Sequence, residues 1–179
     1  MCFETNRRSH RHRTLGLFLL LLVSSAGWGM ATAPPDTSSP RATFQSFLAL
    51  TSKLAEHYAA YQSDPNRETL RALLQTVDQG QYLVNLDEVA PAARREVAAD
   101  SVALIWDLVA RVELPTPDDI PDAAAFGDDG PLAHQPPKWR LPGTGIVIRR
   151  VDDGPQAGEF LFSAQTIASL ERYIEATRD

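Results

Sequence analysis

The sequence predicts an α+β domain that is mainly helical, with three N-terminal helices, a C-terminal β-hairpin and a final amphipathic helix. Three observations predict it. Between residues 40 and 112 the apolar residues recur at helical spacing, and each run opens on a proline-containing start signal. Strand-like runs flank Asp152-Asp153-Gly154-Pro155, which is turn chemistry. Ser163 then precedes Ile167, Leu170 and Ile174, a helix cap followed by one apolar stripe.

The chain opens on a different kind of segment. Arg7, Arg8, Arg11 and Arg13 precede a short apolar run from Leu15 to Val23, and small residues follow. That order describes a secretory signal, with cleavage after Ala31 fitting best. The apolar run is short against the ~20 residues that a spanning helix needs. If the segment were retained, it would serve as a membrane anchor. Residues 1–31 are thus read as a signal peptide, 32–39 as a polar linker and 40–112 as the helical portion. Residues 113–138 read as a Pro/Asp-rich linker, and 139–178 as the hairpin and helix that complete the same domain.

The whole chain carries 17 Lys+Arg against 23 Asp+Glu. Loss of residues 1–31 removes four Arg and one Glu, leaving 13 basic and 22 acidic groups, a net of −9. That balance argues against a nucleic-acid surface and against docking on anionic lipid through a basic patch. The one cysteine, Cys2, leaves with the signal. Stability then rests on an ordinary core, for which about 145 residues suffice.

Ser39-Pro40 starts the first helix well, because Ser accepts free N–H groups and Pro tolerates the first helical position. Phe44, Phe47, Leu48, Thr51, Leu54, Ala55, Tyr58 and Tyr61 share a face to about Gln62. Asp64-Pro65 repeats the start signal, Leu70, Leu73, Leu74 and Val77 form the second stripe, and Gly80 marks its end. Residues 82–89 read as a short extended connection, with a helical turn as the other reading. Pro91 opens the third helix, with Val97, Leu104, Ile105, Leu108 and Val112 on one side. Val102, Trp106 and Val109 lie nearly opposite, so this helix is expected to be central.

From Leu114 to Lys138, six prolines alternate with aspartates. This composition predicts an extended or mobile linker, with Ile120 as a point where it could be pinned to the core. In the hairpin, Ile146, Ile148 and Arg150 point one way and Val147, Arg149 and Val151 the other. Phe160 and Phe162 share a face of the return strand.

No arrangement of residues announces catalysis. His57 and His134 lack the neighbouring His or Cys that a metal site wants, so both read as solvated. The aspartates between Asp118 and Asp129 lack the alternating pattern of a calcium loop and read as a solvated acidic linker. Asp152 and Asp153 suit local turn bonding, and Ser163 lacks the setting of a nucleophile. Arg149 and Arg150 are adjacent on a strand and therefore expected on opposite faces, not in one anion clamp. Catalytic, cofactor-binding and metal-ligating residues are accordingly none. The candidate contact surface comprises Trp106 on the third helix with Trp139, Arg149, Phe160 and Phe162 of the hairpin block, although core burial is the ordinary role of such rings.

The block Trp139-Arg140-Leu141-Pro142-Gly143-Thr144, the strand after it and Gly158-Glu159-Phe160-Leu161-Phe162-Ser163 resemble the extramembrane N-terminal region of some bacterial small-conductance-type mechanosensitive ion channel proteins. Ser39 to Phe44, Leu83 to Pro91 and Leu114 to Pro121 are similar to the start and middle of that region, in the same order. Gly145 and Gln165 stand where acidic residues are often found in that family. The resemblance implies an exported, periplasmic, non-enzymatic sensing or assembly domain. Its partners would be a membrane channel protein or like subunits, with no nucleic acid, cofactor or small-molecule substrate. No apolar span follows the hairpin block, so no pore is expected from these residues. A free-standing periplasmic protein-binding module is the alternative, and an enzyme built from scattered acids the least supported.

Overall fold

Helix α1 (Pro40–Ser63) starts as the Ser-Pro signal predicts. In the computed structural model, which describes residues 33–170, the Ser39 hydroxyl accepts the Ala42 N–H at 3.1 Å and Pro40 occupies the first turn. Its first half buries Thr43, Phe44, Phe47, Leu50 and Thr51; after Thr51 no position is fully buried. Helix α2 (Arg67–Gln79) starts slightly later than Asp64-Pro65 suggested. Asn66 caps it, accepting from the Glu68 and Thr69 N–H groups, while the Thr69 hydroxyl accepts the Asn66 N–H. This reciprocal pair satisfies donors that the first turn cannot use internally.

α2 packs against α1, and only Thr76 of α2 is buried. Leu70 and Leu74 of the expected stripe stay exposed. His57, expected to be solvated, instead joins the helices: Nδ1 lies 3.1 Å from the Ala72 carbonyl and 2.7 Å from the Thr76 hydroxyl. α2 ends at Gly80, whose φ of −58° is ordinary helical backbone. The glycine serves close approach there, since a Cβ would stand 3.0 Å from Val102 Cγ2.

A 3-10 turn (Gly80–Tyr82) leads into the segment read as extended, where Leu83, Val84 and Leu86 are buried. Helix α3 (Arg94–Val109) follows a second 3-10 turn at Pro91–Ala93. It buries Ala98, Ser101, Val102, Ile105, Leu108 and Val109, which form one broad face. The two opposed faces expected from the sequence are flanks of that single face, and Trp106 at its margin is 45 % exposed.

The Pro/Asp-rich segment is folded, not extended. It forms 3-10 turns at Pro117–Asp119 and Ala123–Phe126, whose N-termini are closed by Thr116–Asp119 and Asp122–Ala125 hydrogen bonds. Ile120 is buried, as its apolar character among prolines suggested. Arg41 Nε donates to the Ile120 carbonyl at 2.9 Å and its guanidinium lies 3.4 Å from Asp122. The Leu132 N–H returns to the Ala125 carbonyl at 2.8 Å. Gly130 permits that return, because a Cβ would sit 2.3 Å from the Ala124 carbonyl oxygen. Composition alone missed this order because the segment closes its own backbone hydrogen bonds and needs only two apolar anchors, Ile120 and Phe126.

The hairpin is present with a third strand beside it. Strand β1 (Lys138–Arg140) pairs antiparallel with β2 (Val147–Arg150), which pairs antiparallel with β3 (Phe160–Phe162). Ile146 and Ile148 face the core as expected. The alternation then breaks: Arg150 is exposed and Val151 is buried. β3 is buried along its length, with Leu161 as enclosed as its neighbours.

The edge of β3 away from β2 is sealed by four unconnected residues. Phe160 N–H donates to the Thr37 carbonyl at 2.8 Å, and the Thr43 hydroxyl donates to the Phe160 carbonyl. Phe162 N–H donates to the Leu83 carbonyl, and its own carbonyl accepts from Asn85 N–H, each at 2.9 Å. Thr37 is buried, so the stretch read as a polar linker is fixed to β3 at that residue. Ser163 caps the last described helix, α4 (Ala164–Ile167), accepting the Thr166 N–H at 3.2 Å, and Leu170 is buried. Helices α1 and α3 and the sheet share one α+β core inside the unit that starts at Ala33. Residues 1–31, read above as a signal peptide, and Ile174 lie outside the described residues.

Candidate functional site

The five residues expected to form a contact surface do not lie together. Phe160 and Phe162 are interior: Phe160 packs on Phe126 with ring centres 5.3 Å apart, and Phe162 meets Phe47 edge-on at 5.3 Å. They belong to the core because their rings are covered by Phe47, Phe126 and the rest of the apolar cluster. Trp139 is half-buried, edge-on to Phe44 at 5.6 Å. Trp106 lies 6.5 Å from Phe47 and is the exposed end of the same aromatic chain. Arg149 points away from this cluster, on the outer face of the sheet.

That outer face forms a groove of about 420 Å³. Its floor includes Val147 and Arg149 of β2 with Lys138 and Arg140 of β1. The register places Lys138 opposite Arg149 and Arg140 opposite Val147, while Trp139 and Ile148 face the core. Residues two apart on a strand share a face, which puts Lys138, Arg140 and Arg149 on one side. Arg150 also lines the groove, through the break in alternation after Ile148. The adjacent arginines therefore do share a site, contrary to the strand rule. Arg149 is paired with Asp152 at 2.6 Å. Among the described residues, Lys138, Arg140 and Arg150 have no ion pair within 4.0 Å. The same lining carries four carboxylates, Asp87, Glu88, Asp152 and Asp153. The signal for this site lies in the sequence as Lys-x-Arg followed by Arg-Arg, but the pairing that unites them is tertiary.

A second surface feature is apolar. Leu70 and Leu74 are one helical turn apart on α2 and exposed, and Tyr58 of α1 is 56 % exposed. Both helices are free of fully buried apolar residues in this region.

Titratable groups give one further landmark. Asp36 is held below its ordinary range, first by the Ser38 backbone N–H and then by the Ser38 side chain, against a small opposing effect of burial. Among the described residues no group of three or more His, Cys, Asp or Glu is placed to hold a metal ion. No helix among them is long and apolar enough to cross a membrane. Comparisons with protein-family models, with curated proteins and with solved structures found no match.

Proposed function

We propose that the chain is a non-enzymatic exported domain that acts by protein contact, as the periplasmic sensing or assembly region of a mechanosensitive channel would. The observation that carries this reading is the far end of the α1–α2 hairpin. Tyr58, Leu70 and Leu74 are large apolar side chains left 38–56 % exposed on these two helices. Isolated exposed apolar residues are common, but a helix that leaves two residues of its stripe exposed one turn apart points to a partner. The ordered resemblance along residues 39–166 supports a membrane channel protein or like subunits as that partner. A contact of this kind acts by binding one conformation of the partner better than another and shifting their populations.

The test is site-directed photo-crosslinking in the native envelope, with the probe at position 74 and a second probe at position 67 on exposed Arg67. A crosslink from position 74 to a channel-type membrane protein or to a second copy is expected, lost in the Tyr58→Ser, Leu70→Ser variant. These exposed changes should leave the melting temperature close to that of the parent. Crosslinks that persist in the variant, or that fail to form at position 74, would refute the proposal.

A further inference from the structure

The outer sheet groove holds the other unexplained chemistry, and it is independent of the protein-contact reading. Among the described residues, three cations without ion pairs and a fourth with one carboxylate partner line a groove of about 420 Å³ in a chain whose balance is acidic. Lys138 stands directly across from Arg149, and Asp152 meets the Arg149 charge alone. Asp87, Glu88 and Asp153 line the same groove but, among the described residues, form no ion pair with Lys138, Arg140 or Arg150. Asp122 is turned to Arg41, Asp119 to Thr116, Asp78 to Arg95 and Asp107 to Arg111.

We propose that this groove is a binding site for a compact oxyanion, a phosphate or carboxylate group held by Lys138, Arg140 and Arg150. Guanidinium groups match such oxyanions in planar, two-pronged geometry, and Lys adds a point charge. The volume falls within the roughly 300–1,000 Å³ of small-ligand sites. The acidic lining decides against a larger ligand. Asp87, Glu88, Asp152 and Asp153 stand among the four cations, so an extended polyanion or an anionic membrane would meet carboxylates there, whereas a compact oxyanion can sit against the cations that lack an ion pair. Asn85 and Gln165 add neutral polar groups to the lining.

The experiment is an NMR titration of the purified chain with inorganic phosphate at low ionic strength, following backbone amides and arginine Nε–H signals. Saturable shifts are expected at Lys138, Arg140, Arg149 and Arg150, with binding about tenfold weaker in Arg140→Gln, Arg150→Gln. Arg71→Gln, on exposed α2, should bind as the parent does. Both arginines of the double variant are exposed, and its amide spectrum verifies the fold. Asp87→Asn with Glu88→Gln should tighten binding. The absence of saturable shifts in the parent, or equal binding in the Arg140/Arg150 variant, would overturn the site. A parallel sedimentation arm uses phosphatidylglycerol vesicles. Vesicle binding that depends on Arg140 and Arg150 and outcompetes free phosphate would overturn the compact-ligand assignment in favour of a lipid surface; phosphate binding without vesicle binding supports it.

Discussion

Replacing Thr43 with Val tests how the central strand is closed. Thr43 is fully buried on α1, and its hydroxyl contacts two carbonyls, those of Ser39 at 2.9 Å and of Phe160 at 2.5 Å. The Ser39 carbonyl would keep a partner after the change, because it also accepts the Thr43 N–H at 2.9 Å. The Phe160 carbonyl would not, since it faces away from β2 and the hydroxyl is its one hydrogen-bond partner on that edge. Val matches Thr in shape and has a similar helix propensity. The loss therefore reduces to one buried acceptor left unsatisfied, about 1–3 kcal/mol. For a chain of this size that lowers the melting temperature by roughly 2–4 °C per kcal/mol. Thr43→Ser retains the hydroxyl and loses a single methyl group, about 1 kcal/mol. The assay is urea unfolding by circular dichroism with amide exchange at Phe160 and Phe162. Thr43→Val should shift the midpoint down without changing the slope, and speed exchange along β3. A variant that unfolds at the parental midpoint with unchanged exchange would show that the hydroxyl does not close this edge.

Two further outcomes follow from the packing. Arg41→Ala removes the 2.9 Å bond to the Ile120 carbonyl and the contact with Asp122; it should cost about 1–2 kcal/mol and open residues 121–137 to a broad-specificity protease. Equal cleavage of parent and variant would refute the anchoring role of Arg41. Phe162→Ala should cost about 3–5 kcal/mol, as for a fully enclosed aromatic ring, while Trp106→Ala, at a half-exposed site, should cost about 1 kcal/mol. Similar losses in denaturant midpoints would contradict the division between core Phe162 and margin Trp106.

Much of the scaffold was legible because its signals are local. Ser39-Pro40 and Ser163 cap helices, while residues 82–89 combine both readings: Tyr82 and Leu83 end a 3-10 turn, Val84 bridges β3, and Asp87-Glu88 turn again. The candidate surface was less legible. The sequence showed which side chains are large, aromatic or charged, but not which of them the fold encloses. Phe160 and Phe162 looked like one face of a two-stranded hairpin. They are interior because Phe47, Phe126 and the rest of the apolar cluster cover their rings, while Thr37, Thr43, Leu83 and Asn85, from three separate stretches, close the edge beside them. Arg149 and Arg150 were separated by the strand rule, and the break at Arg150 brings both to one groove.

Local periodicity and capping chemistry determine the α+β class, the start and order of the helices and the β2–β3 turn, since these depend on neighbours a few residues apart. Tertiary structure alone decides the third strand, the folding of residues 113–138 and the gathering of Lys138, Arg140, Arg149 and Arg150. Each depends on partners distant in sequence: β1 needs β2 beside it, the Pro/Asp segment needs Arg41 and the core beneath Ile120, and the cations need the sheet register to meet. A short strand or a proline-rich turn has too little local free energy to announce itself, and becomes ordered when long-range burial offsets the entropy of fixing it.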